Sequence, residues 1–212
     1  MRRKQKGKEL DKTLHYFIAY KPYGMICQFS PHENRPSLAT LYPFPSDVYP
    51  VGRLDADSEG LLILTNDKRL NHLLLDPSRH HSRTYLVQVE GDITGEAIEH
   101  LCRGVEINLK GKKYHTLLAT AVKLSLPPIL PERPVPIRSR KNIPVSWIRL
   151  TLREGKNRQI RKMTATTGFP TLRLIRIAIE DLCLGNLQPG EVRQISREKI
   201  YALLKIKQEL SP

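Results

Sequence analysis

The sequence predicts an α+β fold, and three observations carry that expectation. Strand-like alternation and helix-like 3.6-residue spacing both occur along the 212 residues, yet they do not follow one another in a regular βαβ rhythm. The apolar runs are short and bounded by Gly, Pro, Asn and Asp, as strands of a mixed sheet are. No internal repeat is visible, so the chain suits one domain or two small lobes rather than a solenoid.

The elements follow in order. His15–Tyr20 is aromatic and β-branched and predicts a strand; Lys21-Pro22-Tyr23-Gly24 turns it, and Met25–Phe29 is the expected partner strand. Residues 30–48 predict loop with one short helical turn at Ser37–Leu41. Leu61–Thr65 is an apolar run of the kind that forms a buried strand. Leu70, Leu73 and Leu74 give a helix over Asp67–Leu75, capped by Asn66 or Asp67. Tyr85–Glu90 alternates as a strand, and Thr94 caps a helix to Cys102. Lys113–Leu124 is strand-like, and Val145–Leu152 alternates cleanly. Between them, residues 125–144 hold Pro127, Pro128, Pro131, Pro134, Pro136 and Pro144 with Arg133, Arg138, Arg140 and Lys141. So many prolines exclude a helix or a central strand and predict an extended loop. Asn157–Thr167 predicts a helix stopped by Gly168. Thr171–Ile179 predicts a strand whose arginines suggest a wet, basic face. Ser196 caps a last helix over Arg197–Glu209.

Composition narrows the function classes. Thirty-five Lys and Arg against 21 Asp and Glu leave a net charge of +14, which points to a polyanion. Nucleic acid is the first reading; an anionic membrane is weaker, because no apolar run is long enough to span a bilayer. A basic but merely solvated surface is the plain alternative. Residues 1–14 form a basic tail without the apolar segment of a signal peptide, and are expected to be disordered. Cys27, Cys102 and Cys183 have no metal-ligand spacing, so no metal site is expected; buried, reduced thiols and a cytoplasmic location fit them. The adjacent His80 and His81 point in different directions on either a helix or a strand, which disfavours shared metal ligation, and they are expected at the surface or facing RNA.

Three segments have the makings of a site. In Gly52-Arg53-Leu54-Asp55-Ala56-Asp57-Ser58-Glu59-Gly60, a loop holds Asp55 at the edge of a predicted buried strand, with Arg53 two residues before it. A loop aspartate is more often a turn residue, and its neighbours raise its interest. Glu154–Met163 runs from a strand through Gly155 into a helix and carries Lys156, Arg158, Arg161 and Lys162. Helix N-termini already attract anions, so phosphate capture is expected, and one of these arginines can hold Asp55 ionised. In Arg83-Thr84-Tyr85-Leu86-Val87, Tyr85 is a packing residue by default, but beside an aspartate it can stack on a base or move a proton.

These segments, with Lys21–Met25, Leu174-Ile175-Arg176-Ile177 and Leu187–Arg193, occur in the order and spacing of the RsuA-like pseudouridine synthases, across most of residues 15–200. Within that family the chain most resembles the large-subunit (23S) rRNA pseudouridine synthases of the E type. The resemblance implies a catalytic domain over 15–205 with a mixed, largely antiparallel sheet in two lobes and a cleft between them. It implies site-specific isomerisation of uridine in rRNA without a cofactor. Asp55 would be the essential aspartate, Tyr85 the family tyrosine and Arg161 the basic residue that pairs with the aspartate. Ile175 would be the apolar residue under the base, with Arg53, Lys156, Arg158, Lys162 and Arg176 toward RNA. The N-terminal S4 RNA-binding module of many relatives is expected to be missing, the partner to be rRNA or a large-subunit assembly intermediate, and the enzyme to be a monomer. A non-catalytic RNA-binding or assembly factor, a synthase acting on another RNA, and a DNA-binding protein are the alternatives; the last lacks a convincing recognition helix.

Overall fold

A computed structural model describes residues 13–32, 34–137, 140 and 142–207. Its strands are β1 (Tyr16–Lys21), β2 (Tyr49–Pro50), β3 (Glu59–Thr65), β4 (Arg83–Glu90), β5 (Glu106–Leu109), β6 (Lys112–His115), β7 (Thr120–Lys123), β8 (Val145–Leu152), β9 (Thr171–Ile179), β10 (Leu182–Cys183) and β11 (Val192–Gln194). The α-helices are α1 (Lys68–Leu75), α2 (Gly95–Arg103), α3 (Gln159–Thr166) and α4 (Arg197–Leu203). Nine strands form one mixed sheet in the order β11-β1-β3-β9-β4-β8-β7, with β2 on β3 and β10 on β9; β5 and β6 form a separate hairpin. Only the β3–β9 pair is parallel, so the α+β expectation with a largely antiparallel sheet holds.

The sheet buries separate cores along its length. Beneath α1 and α4, Tyr16, Ile18, Leu61, Ile63, Leu70 and Tyr201 pack together. On the other face of the same strands, Phe17, Ala19, Leu62 and Leu64 pack with Leu38 and Leu54. Because both faces of β3 are covered, its sequence is a continuous apolar run rather than an alternation. At the other half of the sheet, Val87, Val89, Ile148 and Leu150 pack on Leu101 of α2 and Met163 of α3.

Local capping determines the helix starts. Asp67 accepts hydrogen bonds from the backbone N–H groups of Arg69 and Leu70, Thr94 from Ala97, and Ser196 from Lys199. Four expectations need correction. Met25–Phe29 is not a strand: Ile26 makes a single bridge to Ser37, because β3 and β11 already occupy both edges of β1. Lys113–Leu124 is two strands. Thr116–Ala119 carry the chain from the small hairpin to the main sheet, held by Val105 N–H donating to Thr116 Oγ1 and Ala119 N–H to Cys102 O. Helix α3 starts at Gln159, since Arg158 sits in the left-handed region at φ 51°. Helix α4 stops at Leu203, and Lys205 at φ 56° turns the chain out of it; residues 208 and 209 of the expected helix lie outside the described residues.

Smaller corrections concern single side chains. Cys27 is buried, but Cys183 is exposed on the short edge strand β10. His81 is buried with Nδ1 3.3 Å from Glu180 Oε1, while His80 is exposed. The described part of 125–144 holds neither helix nor strand, as its prolines require. It is nonetheless anchored: Leu130 packs on the first core, Pro131 O accepts from Arg173 Nη2 at 3.0 Å, and the Arg133 guanidinium stacks 3.9 Å from the centre of the Tyr23 ring. Arg138, Lys141 and the basic tail through residue 12 lie outside the described residues.

Candidate active site

Leu54 fixes the 52–58 loop. Its side chain is buried in the core with Cys27, whose Sγ accepts the Leu54 N–H at 3.3 Å. The next residue, Asp55, is half-exposed and lines a cleft of about 890 Å³. Its carbonyl closes the turn by accepting the Ser58 N–H at 3.0 Å. Ala56 O accepts Gly24 N–H at 2.8 Å and Lys21 Nζ at 3.4 Å. Lys21 also donates to Met25 O at 2.7 Å and Pro22 O at 2.9 Å, and is fully buried. Burial lowers its pKa to about 8 against the pull of the Glu59, Asp57 and Asp55 carboxylates. The Lys21–Met25 segment is therefore the brace behind the loop.

The cleft's other walls come from strands and one turn. Tyr85 on β4 lines it, register-paired with Arg176 on β9 and Leu150 on β8. Lys156 and Arg158 line it from the turn before α3. That turn is held by Glu154, which accepts from Tyr114 Oη at 2.6 Å, Leu117 N–H at 2.8 Å and Gln159 Nε2 at 2.6 Å. Arg53 is exposed on the rim.

Arginine pairing departs from the expectation. Arg158 Nη1 lies 3.7 Å from Asp55 Oδ2, but its two-pronged hydrogen bonds, at 3.1 and 2.8 Å, go to Asp57. Arg161 also goes to Asp57: Nη2 donates to its carbonyl at 2.7 Å, and Nε lies 3.3 Å from Oδ2. Burial pushes the Asp57 carboxyl up, but the Arg158 hydrogen bonds and the Arg161 charge outweigh it and hold it below its usual range. Asp57, which the sequence reading passed over, thus ties the α3 turn to the loop.

The structure brings Arg53, Asp55, Tyr85, Lys156, Arg158 and Arg176 to one cleft. It leaves three expected residues off its wall. Arg161 is tucked behind Asp57, Lys162 lies one residue further along α3, and Ile175 is fully buried in the first core. Strand alternation puts Leu174, not Ile175, on the cleft side. Arg176 is buried too, so the wet basic face expected of β9 is absent; Arg173 is likewise buried, in a two-pronged pair with Glu59. Among the described residues no His, Cys, Asp and Glu cluster is arranged to hold a metal, and no helix is long and apolar enough to cross a membrane.

A carboxylate on a braced loop, an aromatic lining the same cleft and a cationic rim suit attack on a ribonucleoside extruded from RNA. Residues 15–166 match the family model described as RNA pseudouridylate synthase. The chain is 46% identical over 178 residues to the ribosomal large subunit pseudouridine synthase E of Vibrio parahaemolyticus, covering 84% of this chain and 72% of that protein. It is also 46% identical to the synthase E of Xanthomonas campestris, over 82% and 91% of the two chains. A pseudouridine synthase B of Bacillus subtilis is 33% identical over 89% of this chain and 70% of its own. One crystal structure of a pseudouridylate synthase superposes with a TM-score of 0.71 at 27% identity, covering 90% of this chain and 74% of that one. The chain belongs to the RNA pseudouridylate synthase family.

Proposed function

We propose that this enzyme isomerises one uridine of large-subunit (23S) ribosomal RNA to pseudouridine, with Asp55 as the essential carboxylate. The observation that carries the reading is Asp55 itself: half-exposed to a deep cleft on a loop braced by Lys21, Gly24 and Cys27. The E-type names of relatives 46% identical over most of the chain support the large-subunit target.

The chemistry is self-balancing. The N1–C1′ bond of uridine breaks, a C5–C1′ bond forms, and one proton leaves C5 while one is gained at N1; no net oxidation occurs. The target nucleoside must first leave its stack, at a cost of a few kcal/mol. Arg53, exposed on the rim, fills the gap, while Tyr85 stacks on the extruded base inside. Lys156 and Arg158 meet flanking phosphates, and the Arg158 charge near Asp55 favours its ionised form. Leu174 supplies the apolar wall that was expected of Ile175. Arg161 acts on the loop through Asp57. One copy supplies all these groups, which supports action as a monomer.

Carbodiimide primer-extension mapping of rRNA tests the reading. Cells lacking the enzyme, cells with it restored and cells with Asp55→Asn restored are compared. One reverse-transcription stop should vanish, return with the native enzyme and stay absent with Asp55→Asn. An unchanged pattern in all three would refute large-subunit modification and favour another RNA or a non-catalytic binding role.

A further inference from the structure

Arg176 sits at the floor of the cleft with hydrogen-bonding capacity that nothing in the protein uses. On β9 it lies two residues from Leu174, and both line the cleft, while Ile175 between them enters the first core. Tyr85 is its register partner on β4, and Gly60 is its parallel partner on β3. Gly60 permits that approach. A Cβ there would lie 2.3 Å from the Arg176 carbonyl oxygen, and the backbone has φ +104°. Arg176 is thereby locked between the end of the Asp55 loop and Tyr85.

Its side chain is almost wholly buried, at 4% exposure. Nε donates to Leu61 O at 2.8 Å, but Nη2 is buried and has no hydrogen-bond partner. Nearby Arg83 is engaged only by carbonyls, donating to His81 O and Leu74 O at 3.1 Å each. Among the described residues no carboxylate forms an ion pair with either guanidinium. A buried cation with a free N–H and no counter-charge is unfavourable unless a ligand completes it.

We propose that Arg176 is a catalytic residue whose guanidinium donates to a carbonyl oxygen of the target uracil and stabilises the negative charge the ring carries after it detaches. The inference rests on the isomerisation proposed above. When the N1–C1′ bond breaks, its electron pair stays on uracil and spreads over N1, O2 and O4. C1′ is meanwhile held as an ester of Asp55 or relieved by loss of the C2′ proton. The pair returns to C1′ from C5, the C5 proton departs and N1 gains one. A fixed cation facing that transient anion lowers its energy without reorganising at the moment of reaction. A phosphate is the poorer occupant: the nucleic-acid backbone runs along the rim with Arg53, Lys156 and Arg158, whereas an extruded base is what reaches the floor.

The test is a cycle between enzyme and substrate. A short RNA hairpin carries the target as uridine, 2-thiouridine or 4-thiouridine, sulfur being a much weaker acceptor than oxygen. Single-turnover rates and filter-binding Kd values are measured for native enzyme, Arg176→Met and Arg176→Lys, with circular dichroism confirming the fold. Arg176→Met should lower the rate about a hundredfold or more, with Kd changed less than about threefold. One of the two thio substitutions should slow the native enzyme about tenfold and leave Arg176→Met unaffected. Should Arg176→Met not fold, Arg176→Lys carries the cycle, its thio penalty falling below that of the native enzyme. Equal thio penalties in native and variant enzymes, or parallel losses of rate and affinity, would overturn the role of Arg176. Failure of the native enzyme to convert the uridine hairpin, or the rRNA fragment around its mapped site, would instead overturn the isomerisation on which it rests.

Discussion

Replacing Glu59 with Gln should destabilise the fold far more than its conservative size suggests. Glu59 opens β3 directly after the Asp55 loop, and its side chain is 2% exposed; that of Arg173, its partner, is 7% exposed. Nε and Nη2 of Arg173 donate to the two carboxylate oxygens at 2.9 Å each, and Nη2 also holds Pro131 O. Burial alone would lower the Arg173 pKa, but the Glu59 hydrogen bonds and charge raise it instead. In Glu59→Gln the side-chain shape survives, but the counter-charge is lost and one of the two acceptors becomes an N–H donor facing an Arg173 N–H, leaving a buried guanidinium that costs about 3–5 kcal/mol. For a chain of this length each kcal/mol moves Tm by about 2–4 °C, so the expected drop is about 6–20 °C. The double variant Glu59→Leu/Arg173→Met should recover most of that loss, because it removes both charges and fills the site with apolar volume. Thermal and urea unfolding followed by circular dichroism read both effects. A drop below about 2 °C for Glu59→Gln, or a double variant no better than the single, would refute the view that the buried pair acts as one unit.

Two further outcomes follow from the loop and its brace. Asp57→Asn should slow single-turnover isomerisation by about ten- to a hundredfold, since it breaks the two-pronged Arg158 clamp and the Arg161 charge contact, leaves only the Arg161 bond to the Asp57 carbonyl, and lets Asp55 drift. Stability should change by less than about 1 kcal/mol, because the pair is partly exposed; a rate within twofold of native, under the same assay, would sink this account. Lys21 gives a pH signature. Its folded pKa of about 8 lies below the 10.5 of the free side chain, so the unfolded chain binds more protons between these values. The burial penalty is full below pH 8 and is relieved as pH rises, so stability should climb by up to about 1.4 kcal/mol per pH unit from pH 8 to 10. Above pH 10 the raised pKa values of Tyr16, Tyr20 and Tyr201 act in the opposite sense. Urea midpoints across pH 8–10 check it: Lys21→Met should flatten the climb, and an equal slope in both proteins would dismiss Lys21 as its source.

What the sequence disclosed was whatever short windows encode. Asp67, Thr94 and Ser196 cap helices through bonds two or three residues away, and β8 shows its alternation within eight residues. The Asp55 loop was legible because its glycines and the apolar run after it are contiguous. The rest depends on distant partners. Arg173 looked like a surface cation until Glu59, 114 positions away, was seen beside it. Asp57 gave no signal, because Arg158 and Arg161 lie more than a hundred residues along the chain. Ile175 and Leu174 differ by one position, and a one-residue shift exchanges the faces of a strand, so only the observed register separates wall from core.

The bracing of residues 54–58 has a consequence for how targets are told apart. The loop's backbone is tied by Cys27, Gly24, Lys21 and Arg161 before any RNA arrives. Ordering entropy at Asp55, the proposed catalytic carboxylate, is spent during folding and does not vary with the substrate. A stiff receptor leaves the deformation to the nucleic acid. Candidate uridines then compete by the work needed to unstack and swing each one out, which is least in loops, bulges and unpaired ends. The mechanics of the rRNA thereby become part of the selectivity: a site with a perfect sequence inside a stable helix should lose to a poorer one in a pliant loop.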